Sequence, residues 1–221
     1  LITASILSAP AAIVCAKIIV PEKNKFSEFS YKIDHNFGNN VLEAINIGTY
    51  QGIKLAINVA GMLLVFTALI AMTNYIFKDI IGDILGLNNI ISNNTSYSGL
   101  SLEFVFGYIF SPVAWIMGVP WDDAVLVGQL LGEKTILNEF IAFKSLGEMK
   151  SANLFTYDKS IIMSTYILCG FANFASIGIQ IGGIGSLAPN QTKNLSELGL
   201  RALIAGTIAS LFTAVIIGMI M

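Results

Sequence analysis

The chain has 221 residues, of which 55% are hydrophobic and only 12% are charged. A soluble fold carries about 25% charged residues, because polar side chains must cover its surface. The composition therefore excludes an ordinary soluble domain and predicts a helical membrane protein. The net charge of −2, with no basic cluster, argues against nucleic acid as a partner. One histidine and two widely separated cysteines give no reason to expect a metal site or a disulfide.

Residues 1–52 are predicted to form a transmembrane helix followed by an interfacial amphipathic helix. Leu1 to Val20 carries a single charge and is long enough to cross a hydrocarbon core of about 30 Å. A polar stretch, Glu22 to Asn40, leads to Val41 to Gly52, where apolar residues recur at helical spacing. Because the chain begins without methionine inside an apolar span, the sequence is expected to be part of a longer protein.

A scaffold helix, a loop and a second interfacial helix are predicted next. Residues 53–78 contain the uncharged run Leu55 to Phe77, which predicts a spanning helix ended by the charged residues that follow. The asparagine-rich stretch Gly86 to Gly99 is typical of a loop. Residues 100–120 are rich in aromatic side chains and are interrupted by Pro112. This pattern predicts a bent helix lying along the membrane interface.

Residues 121–146 mix apolar side chains with acids and lysines, and they are interrupted at Gly132 to Thr135. Each half has about 12 residues and would be about 18 Å long as a helix, roughly half of a bilayer core. Two such helices joined by a polar tip predict a re-entrant hairpin, which is tolerated where protein or water surrounds it. Asp122 and Asp123 are expected to cap the first half-helix.

Two transmembrane helices are predicted for residues 159–221. Ser160 to Thr192 contains no charged residue, and glycines in its second half are expected to loosen the backbone or to allow close packing. A turn at Asn194 to Glu197 would then precede the last span, Leu203 to Met221.

Glu139 is the most informative single side chain, because an acid at bilayer depth costs about 2.5–3.5 kcal/mol. Lys134 and Lys144 are each five positions away, so a local ion pair along the helix does not account for it. Thr135 is expected to share its helix face, with Asn138 beside them, and the positive end of the second half-helix would favour the carboxylate. The pattern predicts contact with a ligand or ion; a structural tie to another helix is the alternative.

A second polar group lies within the uncharged span. Asn173 and Ser176 are three positions apart, which predicts that they project from one helix face. Their amide and hydroxyl groups suit a base or a ribose, and Phe171 would add a flat apolar wall. The alternative is that Asn and Ser join neighbouring helices, as they do in many membrane bundles.

Gly132 to Phe143 closely resembles the hallmark of concentrative nucleoside transporters, which is a Gly, a Lys, three residues, then Asn-Glu-Phe-Val-Ala and an aromatic residue. Here Ile141 replaces the Val. The runs Cys169 to Ile177 and Gln180 to Gly185 are also similar to this family, and the resemblance covers essentially the whole chain. It identifies the sequence as similar to the C-terminal half of such a transporter.

The resemblance implies an all-α polytopic membrane protein with a re-entrant helical hairpin, a broken transmembrane helix and interfacial helices, forming half of an inverted-repeat transporter. It implies a homotrimer in the cell inner (plasma) membrane that imports nucleosides such as uridine by elevator-type alternating access. The coupling ion would be Na⁺ or H⁺, with no other cofactor. Residues 55–77 would form the trimer contact.

By the same resemblance, Glu139 would hold the ribose hydroxyls, Asn173 and Ser176 would lie on the ribose side, and Phe171 would line the pocket. Asn138 and Thr135 are further candidate contacts. The elements that contact the base and hold the ion would precede Leu1. Two alternatives stay open: a channel in which Glu139 forms a selectivity ring, and an inactive half that only assembles. An enzyme is not expected, because the sequence offers no nucleophile–base or metal constellation.

Overall fold

The computed structural model describes residues 2–21, 40–95 and 97–221, and every regular element in these ranges is helical. Three helices within them are long and apolar enough to cross a membrane: Ile2–Ile19, Val41–Gly82 and Pro189–Ile220. The predicted class of all-α membrane protein is confirmed. In chain order the elements are α1 (Ile2–Ile19), α2 (Val41–Tyr75), a π-helix (Ile76–Gly82), α3 (Leu87–Asn94), α4 (Leu102–Ile116), α5 (Trp121–Ile136), α6 (Glu139–Ser151), α7 (Asp158–Leu168), α8 (Phe174–Leu187), a 3₁₀ helix (Pro189–Gln191) and α9 (Thr192–Ile220).

Helix α2 is continuous where the sequence predicts two segments, an interfacial helix within 41–52 and a spanning helix within 53–78. It begins after Asn40, whose Oδ1 accepts a hydrogen bond from the Glu43 amide at 2.9 Å. It then continues without interruption into the π-helix, so the charged residues after Phe77 do not end it as predicted. The assignment of 41–52 to the interface and of the remainder to a scaffold stays a prediction. The polar stretch before Asn40 lies outside the described residues.

The predicted loop from Gly86 to Gly99 contains α3, so that prediction is wrong. Asn88 explains why this stretch is ordered. Its Nδ2 donates to Lys78 O at 2.8 Å, and its Oδ1 accepts from Leu100 N at 2.9 Å. Asparagine is common in loops, but here its side chain joins the π-helix to the segment that enters α4.

Helices α4 and α5 pack antiparallel through glycine contacts. A Cβ atom on Gly128 would lie 2.5 Å from Gly107 O and 2.7 Å from Ser111 N, and one on Gly132 would lie 2.8 Å from Gly107 N. The absence of side chains lets the two backbones approach closely. Gly132 is therefore a packing residue inside α5, and the predicted interruption at 132–135 is wrong.

The chain reverses instead at Leu137 and Asn138. Leu137 leaves the helical conformation (φ −91, ψ −92), and the Asn138 side chain accepts from Ile141 N at 3.0 Å and so starts α6. Helix α6 folds back so that Ala142 and Leu146 pack against Leu130 of α5. The hairpin is thus present, with its tip after the predicted place, and α6 extends to Ser151, beyond the predicted end of the hairpin at residue 146.

The long uncharged segment is broken between α7 and α8, at residues 169–173. Its glycines do not loosen the helix: α8 continues to Leu187, with Gly178 against Phe66 and Gly182 against Met62 of α2. The predicted turn at 194–197 is also wrong, because these residues lie inside the continuous helix α9.

The sequence predicts that Asp123 caps α5, but the structure gives this residue a different role. Pro120 precedes that helix, and both Asp123 carboxylate oxygens accept from backbone amides of the α6–α7 connection, at 2.9 Å from Thr156 and 3.1 Å from Tyr157. Tyr157 immediately precedes α7. A fully buried carboxylate thereby sets where α7 begins, and α7 packs against α5 and α9 through Met163 and Ile167.

Candidate functional site

The candidate site lies where the N-termini of α6 and α8 meet. Glu139 is the first residue of α6, as predicted, and Asn173 directly precedes α8. The Asn173 Nδ2 donates a hydrogen bond to Glu139 Oε2 at 3.0 Å. Because the free N–H groups of a helix N-terminus carry partial positive charge, both helices favour a negative group at this point. A hydrogen bond from Glu139 to another helix, which is the alternative interpretation of this residue, is therefore present.

Asn173 and Ser176 form a reciprocal cap at the start of α8. Asn173 Oδ1 accepts from Ser176 N at 2.7 Å, and Ser176 Oγ accepts from Asn173 N at 3.2 Å. The same hydroxyl donates to Asn173 O at 2.6 Å. The two side chains therefore do not project from one helix face as predicted, because Asn173 is in extended conformation outside the helix. The cap fixes the orientation in which the Asn173 amide reaches Glu139.

Thr135 and Asn138 occupy different positions from those expected. Thr135 lies in the last turn of α5, is buried, and donates to Leu131 O at 2.8 Å. Since the chain reverses between Thr135 and Glu139, the two residues belong to different helices and the predicted common face is wrong. Asn138 is the capping residue of α6 and so determines the position of Glu139 beside it.

Lys134 is a buried cation near this site that the sequence-based site prediction omits. Its side chain is 0% exposed, and Nζ donates to Ile167 O at 2.7 Å and to Ser210 Oγ at 2.9 Å. Ile167 lies in the last turn of α7, where carbonyl groups lack helical partners. Lys134 thereby joins the hairpin tip to the broken helix and to α9, and Glu139 is the acid whose charge acts on it. A lysine at membrane depth is the sequence signal that could have identified it.

A cavity of about 520 Å³ adjoins the start of α8. Phe171 and Ser176 line it, together with Gln180 of α8 and several residues of α9. Phe171 is 53% exposed and presents its ring to this space, whereas Asn173 is only 1% exposed. Glu139 and Asn173 are not among the lining residues. The structure thus places Phe171 and Ser176 at a cavity of small-molecule size. It joins Glu139 and Asn173 to each other by a hydrogen bond.

A helical membrane fold in which a hairpin tip meets a broken helix through polar side chains is the architecture of a secondary transporter. The family model described as "Na+ dependent nucleoside transporter C-terminus" matches residues 1–218. The chain belongs to this family, and the resemblance seen in its sequence is confirmed.

Two relatives illustrate the similarity. The chain is 40% identical to the uncharacterized transporter YutK of Bacillus subtilis (strain 168), over 99% of the chain and 52% of YutK. It is 36% identical to sodium/nucleoside cotransporter 1 of Rattus norvegicus, over 100% of the chain and 35% of that protein.

Among solved structures, a CNTnw variant in an outward-facing state gives a TM-score of 0.79 at 33% identity, covering 98% of the chain and 49% of CNTnw. CNTnw in an inward-facing substrate-bound state gives a TM-score of 0.69 at 34% identity, covering 97% and 49%. The chain therefore spans about half or less of the length of these relatives.

Proposed function

We propose that the protein is an ion-coupled nucleoside symporter that imports nucleosides across the cytoplasmic membrane. The observation that carries this proposal is the hydrogen bond between Asn173 and Glu139, which places a carboxylate at the junction of two helix N-termini. A carboxylate held there accepts hydrogen bonds from the vicinal hydroxyls of a ribose. Membership of a nucleoside transporter family supports the same substrate class.

Each site residue has a distinct role in this proposal. Glu139 accepts hydrogen bonds from the ribose hydroxyls, and Asn173 donates to the ribose from its remaining amide hydrogen. Phe171 provides an apolar wall for the nucleoside on the cavity side. Ser176 and Asn138 act on the substrate through the cap geometry that they impose. Thr135 supports the end of α5, because its hydroxyl is already bonded within that helix.

The coupling ion is proposed to be Na⁺ or H⁺. The rat relative is named a sodium/nucleoside cotransporter, which supports Na⁺. Within the described residues, no group of three or more His, Cys, Asp or Glu side chains is arranged to hold a metal ion.

Alternating access of the elevator type, in a homotrimer, completes the proposal. CNTnw has been solved in outward-facing and inward-facing substrate-bound states, which supports two end states for a related fold. Helix α2 is a suitable scaffold, because none of its residues is buried and its exposed side chains include Leu64 and Leu69. A face of this kind suits contact with lipid or with neighbouring protomers.

The test is uptake of labelled uridine by the protein, expressed from its complete reading frame and reconstituted in liposomes. A sodium gradient, a proton gradient and no gradient are compared. Accumulation that saturates and depends on one gradient supports the symporter and identifies its ion. Absence of accumulation under every gradient, from correctly assembled protein, contradicts the substrate assignment.

A channel is the alternative from another class. Its distinguishing property is electrical conductance that does not saturate with nucleoside and is not driven by an ion gradient. Current recordings from the same liposomes, without accumulation, would favour it.

A further inference from the structure

Glu133 is a buried carboxyl group outside the proposed nucleoside site. It lies in α5 and is 8% exposed. Its Oε1 accepts from Gln129 Nε2 at 2.9 Å, whereas its Oε2 is buried without a hydrogen-bond partner among the described residues. The Tyr97 hydroxyl is likewise buried and unpartnered there. Both residues line a cavity of about 460 Å³ between the hairpin, the α2–π-helix junction and the segment that enters α4.

Burial disfavours the ionised form of Glu133 and the neighbouring acids disfavour it further, whereas the side chains of Ser145 and Gln129 favour it. The charges that act on it are the carboxylates of Glu103 in α4 and Glu148 in α6, and both are negative. Lys78 of the π-helix also lines the cavity, but its Nζ donates to Ser98 Oγ at 3.1 Å. An ionised carboxylate with one unpartnered buried oxygen is costly, whereas the neutral acid is much less so.

A proton fits this place better than a metal ion does. Both Glu103 carboxylate oxygens already accept from Asn74 Nδ2, at 2.9 and 3.1 Å, so they are poorly placed to act as metal ligands. A hard cation needs about six oxygen ligands, whereas a proton on Glu133 needs one acceptor. The Tyr97 hydroxyl lines the same cavity and has no partner among the described residues, so it is the candidate for that acceptor. Burial raises the pKa of Tyr97 above its ordinary value and the nearby Glu133 carboxylate raises it further, so this hydroxyl stays neutral.

We propose that Glu133 is a proton-binding site of the transport cycle, at the contact between the hairpin and the α2–π-helix junction. The proton comes from water and adds to Oε2, and the new O–H group donates to the Tyr97 hydroxyl. Binding removes one negative charge from the three carboxyl groups at this contact, and the hairpin then packs against the segment entering α4. Release restores the charge and weakens that packing. The link to transport rests on the proposed symporter function.

The first test detects the proton directly. Infrared difference spectra of the reconstituted protein, expressed from its complete reading frame, are recorded while pH is varied. The wild type is expected to show a protonated carboxyl band that titrates. Glu133→Gln should lack this band, and Glu197→Gln, a matched change at an exposed acid of α9, should retain it. Persistence of the full band in Glu133→Gln overturns the proposal.

A second variant keeps the test decisive if Glu133→Gln does not assemble. The Gln129 amide donates to the Glu133 carboxyl group and so favours its ionised form. Gln129→Met removes this donor. The band should then titrate at a pH about one to two units higher than in the wild type. An unchanged titration midpoint contradicts the proposal.

Uptake separates this proposal from the proposed function. Uridine uptake by the wild type should vary with pH over the range in which the band titrates, and Glu133→Gln should make uptake independent of pH in that range. Uptake with the wild-type pH profile in Glu133→Gln overturns the role in transport. A titrating Glu133 band in protein that moves no uridine would contradict the nucleoside assignment and leave the proton site standing.

Discussion

Glu139 and Asn173 show how two local rules combine into a site. Each lies at a helix start, where Asn is a favoured capping residue and an acid is stabilised by the helix dipole. Their hydrogen bond of 3.0 Å joins helices that are separated by more than thirty positions in the chain. A charge-assisted bond of this kind contributes about 1.5–3 kcal/mol when it is buried. This pair therefore holds the hairpin tip against the broken helix.

Glu139→Gln is expected to reduce nucleoside uptake nearly completely while the protein still assembles. The amide keeps the size of the side chain and an oxygen for Asn173, so the fold is retained, but it loses the charge that is proposed to bind the ribose hydroxyls. Uptake is measured together with the oligomeric state by size-exclusion chromatography with light scattering. Glu197→Gln, at an exposed acid of α9, is the matched control and should leave uptake unchanged. Wild-type uptake by Glu139→Gln would contradict the role given to this residue.

Asn173→Ala is expected to weaken nucleoside binding about tenfold or more. The change removes the Glu139 partner and the cap of α8, and each loss costs about 1 kcal/mol or more. Binding is measured by isothermal titration calorimetry of the purified protein. Asn93→Ala, an exposed asparagine in α3, is the control. If both changes weakened binding equally, Asn173 would have no particular role at the site.

At the scale of elements, the apolar spans were predictable and the exact breaks were not. Charge-free runs identify α1, α2 and α9 because the bilayer core sets their length. Gly132 and the glycines of α8 look like helix breakers, but their effect depends on a neighbouring helix that the local sequence does not contain. The breaks fall instead at Asn138 and Asn173, and the capping side chains of these two residues are the local sequence signal for them.

The site was predictable to a similar degree. An acid and an asparagine at membrane depth identify Glu139 and Asn173 as unusual residues, whatever the fold. Their mutual hydrogen bond and the burial of Lys134 follow from tertiary packing alone. A sequence pattern can assign such residues to helices, but it does not show which helices contact each other.

The contact between α4 and α5 gives a test at this scale. Gly128→Ala should destabilise the protein by about 1–3 kcal/mol, because the added Cβ would meet the backbone of Gly107 and Ser111. The same change at Gly147, an exposed position in α6 with no atom within 4 Å of a new Cβ, should be neutral or stabilise by about 0.5–1 kcal/mol. Thermal unfolding in detergent compares the two. Equal effects would contradict the close helix contact.

At the scale of the whole molecule, α8 packs against α2 through Gly178, Gly182 and the side chains of Met62 and Phe66. In the elevator proposal these helices belong to different bodies, the hairpin and broken helix moving while α2 stays in place. Because Gly178 and Gly182 have no side chains, the face of α8 that contacts α2 is flat, which suits a contact that moves in the elevator proposal. The same contact therefore offers a means of stopping the motion.

A disulfide between Met62→Cys and Gly178→Cys is expected to abolish uptake, and reduction should restore it. A Cβ on Gly178 would lie 3.4 Å from Met62 Cβ, close to the separation that a disulfide requires. The experiment uses a background in which Cys15 and Cys169 are replaced by alanine. The control pair, Gly185→Cys with Thr192→Cys, joins α8 to α9 within one body at 3.9 Å and should permit uptake. Full uptake with the α2–α8 disulfide formed would contradict an elevator motion between these helices.

The bond between Asn173 and Glu139 also bears on the step in which a symporter returns without cargo. A carboxylate with no partner would resist passage through the bilayer, because its charge would lack compensation. Asn173 keeps Glu139 Oε2 hydrogen-bonded without any nucleoside hydroxyl, so the unloaded carboxylate retains one of the hydrogen bonds that water would otherwise provide. An incoming ribose then meets a carboxylate that already has one partner, which moderates affinity and favours release on the far side. The proposed symporter is therefore expected to combine fast turnover with modest affinity.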